Sequence, residues 1–130
     1  MSIELGLKCR AEAVVTPEKT AAACGSGSLP VYGTPWMLAL MEEAACNSLK
    51  DALEPNQGTV GMGMELTHVS PTPVGMKVWA ESELVAAEGK KLTFSVTAYD
   101  EAGVIGRCTQ QRCLIWNDRF LSRCQSKGNV

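Results

Sequence analysis

The chain has 130 residues, a formal charge of −2, and 45% hydrophobic against 20% charged residues. That length suits one domain able to bury a core without staples. The lack of a basic excess excludes a nucleic-acid-binding module, which needs cations to displace phosphate counterions. No stretch approaches the length of a membrane span, and the opening residues lack the basic-then-apolar order of a signal peptide. A cytoplasmic protein with no membrane partner is therefore expected. The six cysteines (Cys9, Cys24, Cys46, Cys108, Cys113, Cys124) form no CxxC pair and there is one histidine. A structural zinc site is not expected; the thiols read as small buried hydrophobes.

Period-two alternation marks a first strand over about Ile3 to Val15. The loop TPEKTAAACGSGSLPVYG follows, longer than most connections in compact domains, as functional or disordered loops are. TPWMLALMEEAACNSLKDAL then reads as one long helix, with Thr34 at the N-cap and Pro35 at the first helical position. EPNQG ends it. Four strands come next: TVGMGMELTHVS, VGMKVWAESELVAA, KKLTFSVTAYD and VIGRCTQQRCLIW, joined by short turns. Residues from about 118 to 130 read as a frayed tail. A helix apolar on nearly every face must be wrapped, and a curved antiparallel sheet is the only partner available. The expected fold is thus α+β, a hotdog in which a curved five-stranded antiparallel sheet wraps one long central helix, with residues 1–130 forming one domain. Pairing of two copies edge to edge would hide the edge strands, so a homodimer or a dimer of dimers is expected.

Two adjacent glutamates interrupt the helix. At 3.6 residues per turn, Glu42 neighbours Leu38, Ala39, Ala45 and Cys46, whereas Glu43 shares its side with Asn47 and Lys50. Glu42 is the inward one. A buried carboxylate needs a donor or a charge beside it, either at a passive dimer seam or at a working site. On the strand TVGMGMELTHVS, the residues Val60, Met62, Met64, Leu66 and His68 share one parity. A lone histidine on such a face is commonly a satisfied core residue. Here that face looks at the helix that carries Glu42, and two complementary ionisable groups make a candidate acid–base site. Gly61 and Gly63 on the other parity mark either a close approach to a ligand or a bulge. Thr34 lies two turns before Glu42, where a helix N-terminus favours developing negative charge.

These pieces, in order, resemble the fluoroacetyl-CoA thioesterase-like branch of the hotdog thioesterases, from roughly Val14 to Phe120. They are GTP opening the helix, LME eight residues on, LEPNQGTVGM, LTHVSPTPVGM and AEGKKLTFSVTA. The resemblance implies hydrolysis of a short-chain acyl-CoA with no cofactor, coenzyme A being part of the substrate. Its catalytic residues fall on Thr34, Glu42 and His68, and its oxyanion-binding backbone amide on Gly61. Glu42 would then be nucleophile or general base. Arg112 matches a basic position of the family and is a candidate substrate-binding residue; Lys90, Lys91, Arg107 and Arg119 could reach phosphates, and solvated surface explains each of these cations equally well. The family's phenylalanine lid is replaced by a shorter loop offering Leu29 and Tyr32, which points to a short acyl group other than fluoroacetyl. Two other readings stay open on the residues alone: a non-catalytic acyl-CoA-binding module, and a hotdog enoyl-CoA hydratase or dehydratase.

Overall fold

The structure is a computed structural model that describes residues 3–129. Strand β1 (Lys8–Val14) leads through a 3-10 turn (Pro17–Lys19) and a short helix α1 (Ala21–Cys24) to the long helix α2 (Thr34–Leu49). Four strands follow, β2 (Gln57–His68), β3 (Lys77–Glu88), β4 (Lys91–Asp100) and β5 (Gly103–Trp116), and then a terminal helix α3 (Asn117–Ser126). All pairings are antiparallel, in the order β1-β3-β4-β5-β2. This is the hotdog arrangement, with β1 and β2 at the two edges.

The sheet folds this way because β3 and β4 alternate strictly. Val78, Ala80, Ser82 and Leu84 face inward on one, and Leu92, Phe94, Val96 and Ala98 on the other. Two-residue turns join the later hairpins, Glu88 pairing with Lys91 and Asp100 with Gly103. Gly89 supplies the positive φ of +59° that the first of these turns needs. Against the inner face α2 lays Met37, Leu40, Met41, Ala44, Ala45 and Leu49, each at most 5% exposed. The paired alanines bring the helix axis close, and Gly106 does the same from the sheet. A Cβ on Gly106 would lie 2.7 Å from Met37 Sδ and 2.8 Å from the Thr67 carbonyl.

Several expectations need correction. The first strand is shorter than its alternation, because Leu5 and Gly6 turn before it. Helix α2 stops at Leu49 rather than Leu53, and its N-cap is Gly33; Thr34 already lies in the first turn and makes no capping bond. The tail is no frayed appendage. Asn56, at φ +65°, accepts at its carbonyl from the Asn117 N–H; its side chain donates to Asp118 Oδ1 and accepts from the Asp118 N–H, which pins α3 to the start of β2. The cysteines are not generally buried: among them only Cys108 is, and Cys24 and Cys124 are exposed.

Candidate active site

The parity of β2 breaks at its glycines. Gly61 pairs with Arg112 and Gly63 with Gln111, so Met62 has no partner and bulges out, 56% exposed. The bulge reverses which residues face α2. Beyond it Met64, Leu66 and His68 face the helix, as expected. Before it the inward residues are Thr59 and Gly61, not Val60 and Met62. Only that reversal brings Gly61 under Glu42: a Cβ at Gly61 would stand 2.9 Å from Glu42 Oε2.

Arg112 organises this end of the seam. Only 5% exposed, it is not the solvated surface cation that its place on a strand also allowed. Its Nη1 donates to Glu42 Oε2 at 2.9 Å and to Gln110 Oε1 at 2.9 Å. Nε donates to Thr59 Oγ1 at 3.0 Å and Nη2 to the Thr59 carbonyl at 3.3 Å. Gln110, fully buried, passes the connection on by donating to the Met41 carbonyl at 3.3 Å. One guanidinium therefore ties α2, β2 and β5 together, using the fork of donors that a lysine lacks. The Glu42 side chain, 36% exposed, has Arg112 on one side and open space on the other. The inward direction expected for Glu42 holds, although it lies on the flank of the buried stripe rather than within it.

The other end of the seam is neutral. Thr34 Oγ1 and His68 Nδ1 lie 2.8 Å apart, joining the first turn of α2 to the last residue of β2. Burial holds the imidazole below its ordinary value of 6.5, against a smaller opposing effect of a hydrogen bond with the Ser70 backbone. Its Nε2 is buried with no hydrogen-bond partner among the described residues. The loops around this pair are strapped together by Thr72, which is wholly buried. Its hydroxyl donates to Asp100 Oδ2 at 2.8 Å, and its carbonyl accepts from the Tyr32 N–H at 2.9 Å. The segment entering α2 and the segment leaving β2 thus share one anchor.

Helix and strand run in opposite directions, so the two ends do not meet within one chain. Thr34 and Glu42 are two turns apart, about 12 Å along the axis, with Leu38, Met64 and Leu66 between the polar groups. Cys108 sits in the same inner row, its thiol pushed up to about 11 chiefly by burial and secondarily by the Glu42 charge. It is a protonated packing residue there and no nucleophile. Tyr32 does not hang over this seam. It is 2% exposed in the core, with its hydroxyl donating to the Trp36 carbonyl at 3.2 Å. Burial raises its pKa well above the ordinary phenol value. Leu29, at the tip of the loop, is 63% exposed. Sequence reasoning missed Gln110, Thr59, Thr72 and Asp100. For Gln110 a signal existed, since CTQQRCL puts it and Arg112 on one parity with Cys108 and Leu114, and a glutamine on an apolar face needs a partner.

The profile of a family described as "FlK: Fluoroacetyl-CoA-specific thioesterase" matches residues 15–118. The fluoroacetyl-CoA thioesterase of Streptantibioticus cattleyicolor is 34% identical over 97 residues, 75% of this chain and 70% of its own. A crystal structure of a point mutant of the thioesterase FlK superposes with a TM-score of 0.91 at 29% identity, covering 98% of each chain. A thioesterase superfamily member from Thermus thermophilus gives 0.90 at 28% identity, covering 98% of this chain and 94% of that one. FlK crystal structures in the same group hold fluoroacetate with CoA, or acetyl-CoA. Among the described residues no helix is long and apolar enough to cross a membrane. The chain belongs to the FlK family of thioesterases and is a thioester-hydrolysing enzyme of hotdog fold.

Proposed function

We propose that this protein hydrolyses a short-chain acyl-CoA, with Glu42 as the working carboxylate. The observation that carries this is the cluster of Glu42, Arg112 and Gly61: an oriented carboxylate beside a strand position that has no side chain. Arg112 occupies Oε2, so Oε1 turns to the substrate. Glu42 attacks the thioester carbon, or draws a proton from the water that does. The Gly61 N–H takes the charge that develops on the carbonyl oxygen, a kind of contact whose loss elsewhere costs about 3–4 kcal/mol. His68, neutral and steered by Thr34, exchanges a proton at Nε2 with the attacking water or the leaving thiol. No cofactor enters. The exposed side of Glu42 and the lack of a phenylalanine in the loop from Thr16 to Gly33 suit a short acyl group without selecting fluoroacetyl.

The working unit is a homodimer formed through β2, an edge strand that exposes Met62. Antiparallel pairing of two such strands turns the His68 end of one copy toward the Gly61 end of the other, which closes the 12 Å gap left in a single chain. The two inactive variants Glu42→Gln and His68→Gln test this when unfolded and refolded together. Shared sites recover roughly a quarter of the parent activity, from simple pairing statistics; sites contained within one chain recover none.

The substrate is tested with a panel of short acyl-CoAs, following loss of the thioester absorbance itself, since exposed Cys24 and Cys124 would react with a thiol reagent. Release of free acid and CoA from at least one member is expected. Hydration of an enoyl-CoA with its thioester intact, or saturable binding of every member with no turnover, contradicts the proposal.

A further inference from the structure

Helix α3 flanks a cavity of about 510 Å³ at the end of β5. Three cations line it: Lys90 from the turn before β4, and Arg119 and Arg123 from α3. Among the described residues none of the three is within ion-pair distance of a carboxylate. Asp118, the nearest acid in sequence, is engaged instead by the Asn56 side chain and the Arg119 N–H. Beside the cations stand Trp116, the last residue of β5, and Phe120 of α3, 38% and 40% exposed, both lining the cavity. In a chain whose formal charge is −2 this is a local concentration of positive charge, with aromatic faces adjoining it.

The wall is fixed. Besides the Asn56 clamp, Gly58 leaves the space into which the Asn117 side chain fits. The cavity also adjoins the catalytic seam. Arg112, bound to Glu42, is followed directly by Cys113, which lines it, and Thr59, bound to Arg112, stands two residues from Gln57, which lines it too. From Arg112 to Trp116 is about 13 Å of strand.

We infer that this cavity binds the nucleotide end of coenzyme A, with Lys90, Arg119 and Arg123 on the phosphates and Trp116 and Phe120 against the adenine. The ligand's identity rests on the thioesterase reading; the chemistry stands on the cavity. Guanidinium groups match phosphate oxygens bidentately, and base stacking on an aromatic face does not need a particular base. In CoA the diphosphate lies at the far end of the pantetheine arm from the thioester, which matches a site displaced along the strands from Glu42. A second copy of the chain suits the patch less well. A self-complementary contact would set Arg119 and Arg123 against their own counterparts.

The test compares acetyl-CoA with acetyl-pantetheine, which lacks the nucleotide, on the parent and on Arg119→Ala/Arg123→Ala. Both changed residues are exposed, so the fold should survive. The expected result is a KM for acetyl-CoA raised by about tenfold or more, the scale of losing charge-assisted bonds to phosphate, with kcat held and acetyl-pantetheine unaffected. Free CoA binding, followed by calorimetry, should weaken by the same factor in the variant, and 3′,5′-ADP should compete with it. An unchanged KM and unchanged CoA binding overturn the inference, as does a variant that alters only the association state. Absence of turnover in the parent sinks the hydrolase reading alone, because the calorimetric comparison still decides the subsite.

Discussion

The two ends of the α2–β2 seam solve the same problem, holding a polar group against an apolar core, by opposite means. At the Glu42 end a full charge pair is accepted and then surrounded. Arg112 spends all its nitrogens on Glu42, Gln110 and Thr59, so neither the guanidinium nor the glutamine is left bare. At the His68 end the working pair carries no charge: a hydroxyl steers a neutral imidazole, and the stiffness comes from loops strapped by Thr72 and Asp100. The difference teaches where each end is vulnerable. The charged end depends on a few side chains lying within reach of one arginine. The neutral end depends on backbone that is positioned from a distance.

The largest effect should follow from closing the space at the charged end. Gly61→Ala puts a methyl group 2.9 Å from Glu42 Oε2 and 3.0 Å from Met64 Cε, so the carboxylate must move. Steady-state hydrolysis should show kcat lowered about a hundredfold, the scale of misplacing a reacting group by about 1 Å, with the thermal midpoint barely changed. Arg112→Ala should act on both activity and stability. Its loss leaves Gln110 Oε1 and the Thr59 carbonyl without their donor, a cost of about 1–3 kcal/mol readable in urea denaturation, and it frees Glu42 to turn away. Arg112→Lys should recover only part of this, since a single ammonium cannot hold Thr59, Gln110 and Glu42 at once.

The neutral end should respond less, and through position. Thr72→Val keeps the shape but leaves Asp100 Oδ2 without its donor, a loss of about 1–2 kcal/mol. Hydrolysis should fall as the Thr34–His68 pair loosens, and Asp100→Asn should reproduce it. The same substitution leaving kcat untouched would show that the strap supports only the fold. The smallest effect is that of pH. Burial lowers the folded pKa of His68 below 6.5, so the native chain binds fewer protons than the unfolded chain just under that value. Stability should therefore decline as pH falls from 6.5 through the folded pKa, and the acid limb of kcat/KM should lie below 6.5. His68→Gln should flatten the stability component, which denaturation at a series of pH values would reveal.

Much of this was legible in the chain itself, and the reasons differ by element. The long helix, the alternating β3 and β4, and the order strand, helix, four strands all follow from periodicity, which is a local property. Glu42 was separable from Glu43 for the same reason. The bulge at Met62 was not, because nothing in VGMGME says which residue will lose its partner; the choice is made by the register that β5 imposes. Tyr32 was misplaced because its burial depends on how the whole loop packs down, and Thr34 because its hydroxyl found His68 in preference to a cap. Arg112 shows the limit most plainly. A lone arginine on a strand looks like surface until its neighbours across two other elements are known.

The most direct test of the account is the hydrolysis of one accepted acyl-CoA by the parent and by Glu42→Gln, with the fold of the variant checked by its thermal midpoint. Glutamine retains an oxygen to accept from Arg112 but can neither attack nor accept the proton. The account expects turnover in Glu42→Gln to fall to the uncatalysed background while CoA still binds. A folded variant that hydrolyses the thioester at close to the parent rate would contradict it, and would move the chemistry away from Glu42 altogether.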